Sequence, residues 1–412
     1  MGDSTKVGNT MKKMTATKRL VAVGLMALAA NAAGADNVKI GVVCPFSGGS
    51  ADMGIAVRNG VRLAAEEING AVGGVNGRRI ELVERDDQAN PEMGKKVAEE
   101  LVTKEKVSAV IGVCNTGVGM AALDTYQNAK VPLLIPVATG TILTKKFAPP
   151  AAPENYIFRI SPRDELQAPF LVADAVRRGY QRIAVFADTT GYGEAGKNDF
   201  EKALAAAGMQ AVAVLRFPIG VKDLTEELKQ ARAAKADALV SFTLASEAAV
   251  LVKSREKLGW NVPLMGSWTL SWRSFMDKGE GAAEGTTMVQ TFIEQASFER
   301  RNSFIASYTR TYNVPFMSSP MAAAQGYDAM LLMFYAMYKA DSVEPAKVRT
   351  ALETLDRPVT GVITTYDKPF TKEDHEAITS NMLVMGVVRK GRVEYAYRED
   401  ALKTFLVRRK GQ

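Results

Sequence analysis

NVKIGVVCPFSGGSADMGIAVRNGVRLAAEEINGAVGGVNGRRIELVERDD, residues 37–87, passes through strand, glycine-rich turn, helix, turn and strand in that order. The apolar run 38–43 is short and rich in β-branched side chains, which predicts a strand buried on both faces. Across 54–69, Val57, Val61, Ala64, Ala65 and Ile68 recur at helical spacing on one face. The run 79–85 then reads as a second strand. Two strands with a helix between them form a parallel pair with a crossover, the unit of an α/β sheet.

Upstream of this unit, Lys12, Lys13, Lys18 and Arg19 lead into the apolar run 20–30 and the small-residue triplet Ala33-Gly34-Ala35. That pattern predicts a secretory signal peptide over 1–35, because a membrane span needs about 20 apolar residues. The mature chain is expected to begin at Asp36 and to be exported to the periplasm. No cysteine precedes Cys44, so no lipidated residue is available and no membrane insertion is expected after the signal is removed. The 35 leading residues also hold five Lys/Arg and one Asp, which leaves 47 basic against 44 acidic side chains in the rest. That balance, with no basic stripe interleaved with aromatics, gives no case for a nucleic-acid partner. The basic end, residues 407–410, is expected to be solvated.

Downstream, apolar runs at 107–112, 132–135, 182–187, 210–217, 236–242 and 263–265 alternate with helical periodicity. Alternation of this kind predicts parallel sheets with helices on both faces. The series is interrupted at Ala148-Pro149-Pro150-Ala151-Ala152-Pro153 and restarts after Ile157-Phe158-Arg159-Ile160, so two doubly wound lobes are expected from 377 mature residues. Long helices over 298–312, 322–340 and 345–355 and two late strand runs, 381–389 and 392–397, must return to those lobes.

Catalytic and cofactor motifs fail on inspection. Gly191-Tyr192-Gly193-Glu194-Ala195-Gly196-Lys197-Asn198 matches G-x-G-x-x-G and nearly a P-loop. Asn198 stands where the P-loop hydroxyl belongs, and the next strand run ends in Leu215-Arg216-Phe217 with no acid for a ribose. The single histidine, His375, in the polar run 371–376, is expected on a surface loop and excludes His-rich zinc sites. No nucleophile elbow and no C-x-x-C occur, so no enzyme activity, no metal and no cofactor are expected. Cys44 and Cys114 each follow a strand run, and two readings stand: an exported disulfide, or two small buried side chains.

What remains is a set of loops at strand carboxyl ends, where ligands bind in such sheets. The first lobe offers Pro45-Phe46-Ser47-Gly48-Gly49, Cys114-Asn115-Thr116-Gly117 and Val137-Ala138-Thr139-Gly140-Thr141. Glycines, hydroxyls and helix N-termini suit a carboxylate. The second lobe offers Asp188 to Gly193, Thr243-Leu244-Ala245-Ser246 and Gly266-Ser267-Trp268-Thr269-Leu270-Ser271-Trp272, which supply aromatic surface. An anionic head on one lobe and an apolar body on the other describe a cleft that closes on a small molecule.

Several stretches carry a family resemblance: KIGVVCPFSGGSADMG, the long block NGVRLAAEEINGAVGGVNGRRIELVERDDQANPEMGKKVAEEL, VSAVIGV, VPLLIPVATG, GYGEAG, KDLTEELKQARAAKADALVSF and AQGYDAMLLM. From about 38 to 398 the chain resembles the type I periplasmic substrate-binding proteins of ABC importers, in the leucine/isoleucine/valine-binding group. The resemblance implies two lobes joined by a three-segment hinge, with lobe 1 over 36–156 and 286–361 and lobe 2 over 157–285 and 362–412. By position it implies that Asn115, Thr116, Ala138 and Thr139 hold the carboxylate and that Tyr192 closes over the ligand; the loops themselves add Ser47 from the first lobe and Trp268 from the second as candidate contacts. The family commonly places an acid for the ligand's ammonium where this chain has Ser267-Trp268, with Glu247 and Asp188 as nearby substitutes. Relatives have a cysteine where Cys114 stands. The partner region near Gln88 has none, which leaves Cys44 as the only mate.

The expected function is therefore solute capture for an inner-membrane ABC permease by a monomer. The ligand is a branched-chain amino acid or a related carboxylate, with an aromatic or other organic acid as the alternative. A ligand-sensing ectodomain is the reading from another class.

Overall fold

The computed structural model describes residue 1, residues 36–403 and residues 408–410; the expected signal peptide lies almost entirely outside the described residues. Two mixed α/β lobes follow. The first sheet contains β1 (Val38–Cys44), β2 (Ile80–Asp86), β3 (Ala109–Gly112), β4 (Leu133–Ile135) and β5 (Ile157–Arg159), all parallel, in the order β2-β1-β3-β4-β5. The second contains β6 (Ile183–Asp188), β7 (Ala213–Phe217), β8 (Ala238–Phe242), β9 (Leu264–Gly266) and β10 (Thr287–Gln290). A two-stranded ribbon, β11 (Val359–Thr360) with β12 (Thr365–Tyr366), stands apart. The antiparallel strands β13 (Val384–Arg389) and β14 (Arg392–Tyr395) complete the second sheet as β14-β13-β10-β9-β8-β6-β7.

Both sheets repeat one wiring: the second strand in sequence lies on one side of the first and the remaining strands on the other. The strand order therefore reverses beside β1 in one lobe and beside β6 in the other, and the crevice at such a reversal is where α/β sheets hold ligands. Every residue of β3, β4, β6, β8 and β9 is buried, which is why these strands read as apolar runs broken only by Ser241 and the terminal Asp188.

The lobes are discontinuous, and all three crossings come later in the chain than the sequence suggests. β5 pairs with β4 and so belongs to the first sheet, which puts the first crossing after Arg159 rather than at 156/157. β10 pairs with β9 and β13, so the second crossing follows Gln290 rather than 285. The segment around Glu376 runs parallel to Arg159 at the edge of the first sheet, with Arg159 N–H donating to His375 O and Ala377 N–H to Arg159 O. The third crossing thus follows Ala377 rather than 361. Helix Pro320–Ala340 returns to the first lobe and packs along helix Ala51–Val72. A Cβ on Gly60 would collide with Ala323 O, and one on Gly326 would lie 2.5 Å from Val57 O, so the two backbones meet where neither helix has a side chain.

Two expectations about polar residues fail. His375 is buried, with Nδ1 2.8 Å from Ile157 O, Nε2 3.0 Å from Glu353 Oε1, and its ring stacked 3.9 Å from that of Phe158. The sheet edge and helix Pro345–Glu353 supply partners that a polar local sequence does not announce. The basic end is likewise docked: Arg408 is buried with Nη1 donating to Met382 O at 2.8 Å, and Lys410 Nζ donates to Glu376 O and Pro369 O.

Candidate functional site

A disulfide joins Cys44 and Cys114 at the carboxyl ends of the neighbouring strands β1 and β3, with 5.2 Å between Cα atoms. It decides between the two readings of the cysteines and fixes the base of the loop that follows. Asn115 ends that loop as the residue before helix Thr116–Ala129. Its Nδ2 reaches Ser50 Oγ at 3.4 Å, while its Oδ1 is buried without a partner. The first N–H groups of the helix have no intrahelical acceptor, and the helix begins at the cavity lining with Asn115 and Thr116. Thr116 Oγ1 accepts from Gly140 N–H at 3.2 Å, tying this loop to the one after β4. There Ala138 N–H donates to Val113 O, and the hydroxyl of Thr139 is buried without a well-formed hydrogen bond, its pull falling on the Asp164 carboxyl.

From the second lobe, Tyr192 enters in the first turn of helix Gly191–Ala206, whose Thr190 cap accepts from Gly193 N–H at 3.3 Å. Its hydroxyl is hydrogen-bonded to Ser267 Oγ, and burial holds the phenol far above its ordinary range, so it stays neutral. Trp268 and Thr269 lie on the short helix Trp268–Ser271 after β9, followed by Trp272; all three are buried. The glycines of the phosphate-loop-like motif serve packing: a Cβ on Gly193 would strike Asp188, and one on Gly196 would strike the Phe242 ring.

The two walls enclose a cavity of about 20 Å³, lined by Met53, Cys114, Asn115, Thr116, Val137, Ala138 and Thr139 from one lobe and by Tyr192, Leu244, Trp268, Thr269 and Trp272 from the other. Six of the seven residues expected at the site line it. Ser47 does not: it is exposed, and its Oγ donates to Asp86 Oδ2 at 2.7 Å, while Asp86 Oδ1 accepts from Phe46 N–H at 2.8 Å. That turn points the hydroxyl at the end of β2, and Ser50 is the serine that reaches Asn115. Sequence reading also passed over Met53, Val137, Leu244, Thr269 and Trp272, of which the last four lie within loops it had singled out.

No carboxylate, ammonium, guanidinium or imidazole side chain is among the residues that line this cavity. Asp188 is consumed within its own lobe, with Oδ2 accepting from Leu244 N–H at 2.8 Å and Oδ1 from Thr190 N–H at 3.0 Å. Glu247 Oε1 accepts from Gly220 N–H at 2.9 Å. Neither substitutes for the missing acid. Behind Thr139 lies Asp164, fully buried, with its N–H donating to Thr139 O at 2.8 Å. Burial raises this carboxyl to about 7, against the pull of Thr139 and Arg159. Among the described residues no group of three or more His, Cys, Asp or Glu side chains gathers to hold a metal, and no helix is long and apolar enough to cross a membrane.

The lobes are shut. A Cβ on Gly191 would lie 3.1 Å from Gly117 Cα, and Thr141 Oγ1 donates to Asp199 Oδ2 across the cleft at 2.7 Å. A larger hollow of about 540 Å³ shares no residue with the cleft and is lined by Arg273, Phe292, Glu294 and Phe316 among others. Size does not make it the site: the strand ends and helix N-termini converge on the small one.

A family model described as periplasmic binding protein matches residues 37–392. A Leu/Ile/Val-binding protein of Rhizobium johnstonii is 28% identical over 347 residues, which is 84% of this chain and 89% of that protein. A solved ABC transporter substrate-binding protein of Desulfitobacterium hafniense in complex with Leu is 27% identical, with a TM-score of 0.71 over 88% of this chain and 100% of that one. A solute-binding protein of an ABC transporter from R. palustris in complex with benzoate superposes with a TM-score of 0.76 at 20% identity, covering 87% of this chain and 95% of that one.

Proposed function

We propose, from the premise that this chain belongs to the periplasmic binding protein family, that it captures a small monocarboxylate with an apolar or aromatic body for an ABC uptake system. Exported by its leader, it would deliver the solute to an inner-membrane permease without transforming it. The observation that carries the ligand class is the wall chemistry. Asn115, Thr116 and Thr139 offer amides, hydroxyls and helix N–H groups on one side; Tyr192, Leu244, Trp268 and Trp272 offer apolar surface on the other, with no carboxylate between them. A carboxylate is stabilised by the first wall. An α-ammonium would be buried facing the second wall unpaired, which costs several kcal/mol. An aromatic or branched body stacks there instead. The benzoate-bound relative is consistent with that choice.

Capture proceeds by closure. A ligand that touches both walls binds the shut form more tightly than the open one and shifts the population towards it by that difference. The permease then meets the closed surface.

A second reading keeps a branched-chain amino acid, favoured by the relatives named for Leu, Ile and Val. A thermal-shift panel separates the two, since a ligand of the native state alone raises Tm. Benzoate and branched aliphatic acids are expected to raise it, and leucine, isoleucine and valine to do so weakly. Strong stabilisation by the three amino acids with none by the plain acids would overturn the proposal.

A further inference from the structure

Met53 on one wall and Trp272 on the other each have a neighbour in sequence that reaches across the cleft. Asp52, in the first turn of helix Ala51–Val72, accepts at Oδ2 from the N–H of Ser274 at 2.8 Å. Its main-chain oxygen accepts from Ser318 Oγ at 2.8 Å, and Ser318 O accepts from the N–H of Arg273 at 2.8 Å. Asp52 and Ser318 stand with the first lobe, Arg273 and Ser274 with the second.

The helix Arg273–Gly279 begins directly after Trp272, and that residue makes no side-chain cap to it. Its leading N–H groups have no acceptor within the helix. Both acceptors that the Arg273 and Ser274 N–H groups find belong to the opposite lobe, so they are present only when the lobes are together. When the lobes part, the same N–H groups turn to water, and the segment carrying Trp272 keeps only its own-lobe contacts, such as Phe275 N–H to Trp272 O.

We propose that Asp52 is a positioning residue that latches the shut form. It caps, from across the cleft, the segment that seats Trp272, so that lobe closure and completion of the aromatic wall are one event. The proposal rests on capture by closure, and it concerns which residue holds the closed state rather than which ligand enters.

The experiment places a pair of spin labels on the exposed positions Met120 and Ile219, one on each lobe, and reads the distance distribution without ligand, with benzoate and with L-leucine. The native disulfide is buried and leaves only the introduced thiols to label. Asp52→Ala is expected to move population to a longer distance in at least one of the three conditions and to speed release of a bound carboxylate about tenfold, the loss of one charge-assisted hydrogen bond. Asp52→Asn, which keeps an acceptor oxygen, is expected to recover part of both effects. Distributions that match the parent in all three conditions would overturn the latch. So would an equal fall in Tm of the ligand-free protein for Ala and Asn, which marks a merely structural residue. A parent whose distance ignores both solutes while Asp52→Ala still lengthens it would instead count against capture of those solutes and leave the latch standing.

Discussion

Thr139 ends in a buried hydroxyl that makes no well-formed hydrogen bond beyond its pull on the Asp164 carboxyl behind it, and Asn115 Oδ1 is buried without a partner. A buried polar group left unpaired costs about 1–3 kcal/mol, a cost that a ligand removes if it supplies the missing partner. Thr139→Val keeps the shape and removes the hydroxyl. It is expected to weaken carboxylate binding by about tenfold or more, as for a lost hydrogen bond to a charged group, while the ligand-free Tm holds or rises. Calorimetric titration with benzoate checks the first, and equal affinity in the variant would remove Thr139 from the site. These loop positions could be read from the sequence because strand ends mark themselves. Ser47 could not be told from Ser50, because what turns it away is Asp86, 39 residues on. His375 misled for a similar reason: its partners Ile157 and Glu353 are 218 and 22 residues away.

At the scale of elements, the alternating strands and helices were legible because parallel strands covered on both faces are continuous apolar runs. β10 escaped notice, since TMVQ carries two polar residues within four, and its burial comes from β9 and β13 on either side. The disulfide between β1 and β3 was left open by sequence, which gives no Cα separation. It closes a separation of 70 residues, which corresponds to about 4 kcal/mol of stability in the chain-entropy account. Replacing both cysteines by serine is expected to lower the unfolding free energy by about that amount in urea titration, with the larger effect on the cleft because Cys114 lines it. A change under about 1 kcal/mol would mean that hydrogen bonding between β1 and β3 already restrains the loop. The contact of helices 51–72 and 320–340 gives a second test. Gly60→Ala adds a methyl against Ala323 O and is expected to cost about 1–3 kcal/mol, read as a lower Tm.

Across the whole molecule, the two-lobe plan came through the sequence but its three crossings did not, because β5 is only three residues long and the Glu376 edge makes a single bridge to it. Neither leaves a periodic trace. What the assembled lobes add is a set of buried carboxyls: burial raises Asp87, Asp164 and Glu294 to about 7 and Asp328 to about 6. In the unfolded chain such groups titrate near 4. Between about pH 4 and pH 7 the folded protein therefore holds more protons than the unfolded one, so stability falls as pH rises through that window and stays low above it. Tm is expected to be higher at pH 5.5 than at pH 8. Asp164 is the informative member, since Asp328 accepts from Val362 N–H, Ile363 N–H and the Tyr366 hydroxyl, whereas the side-chain oxygens of Asp164 make no well-formed hydrogen bond and are drawn on only by the nearby Thr139 hydroxyl. The charged or titratable groups that act on it are Arg159, whose guanidinium is committed to Glu376, and Asp199, whose charge adds to the upward shift. Tyr192, whose own pKa the Asp164 charge helps to raise, is neutral. An anion bound at Thr139 adds a negative charge beside this carboxyl and favours its neutral form. Carboxylate binding near pH 7.5 is then expected to take up protons, up to one per site, and affinity to weaken from pH 6 to pH 8. Titrations in two buffers of different ionisation enthalpy measure the uptake. Asp164→Asn should abolish it and make the Tm profile shallower by one carboxyl's share, with Asp87, Glu294 and Asp328 keeping the rest, and uptake that persists in that variant would assign the proton elsewhere.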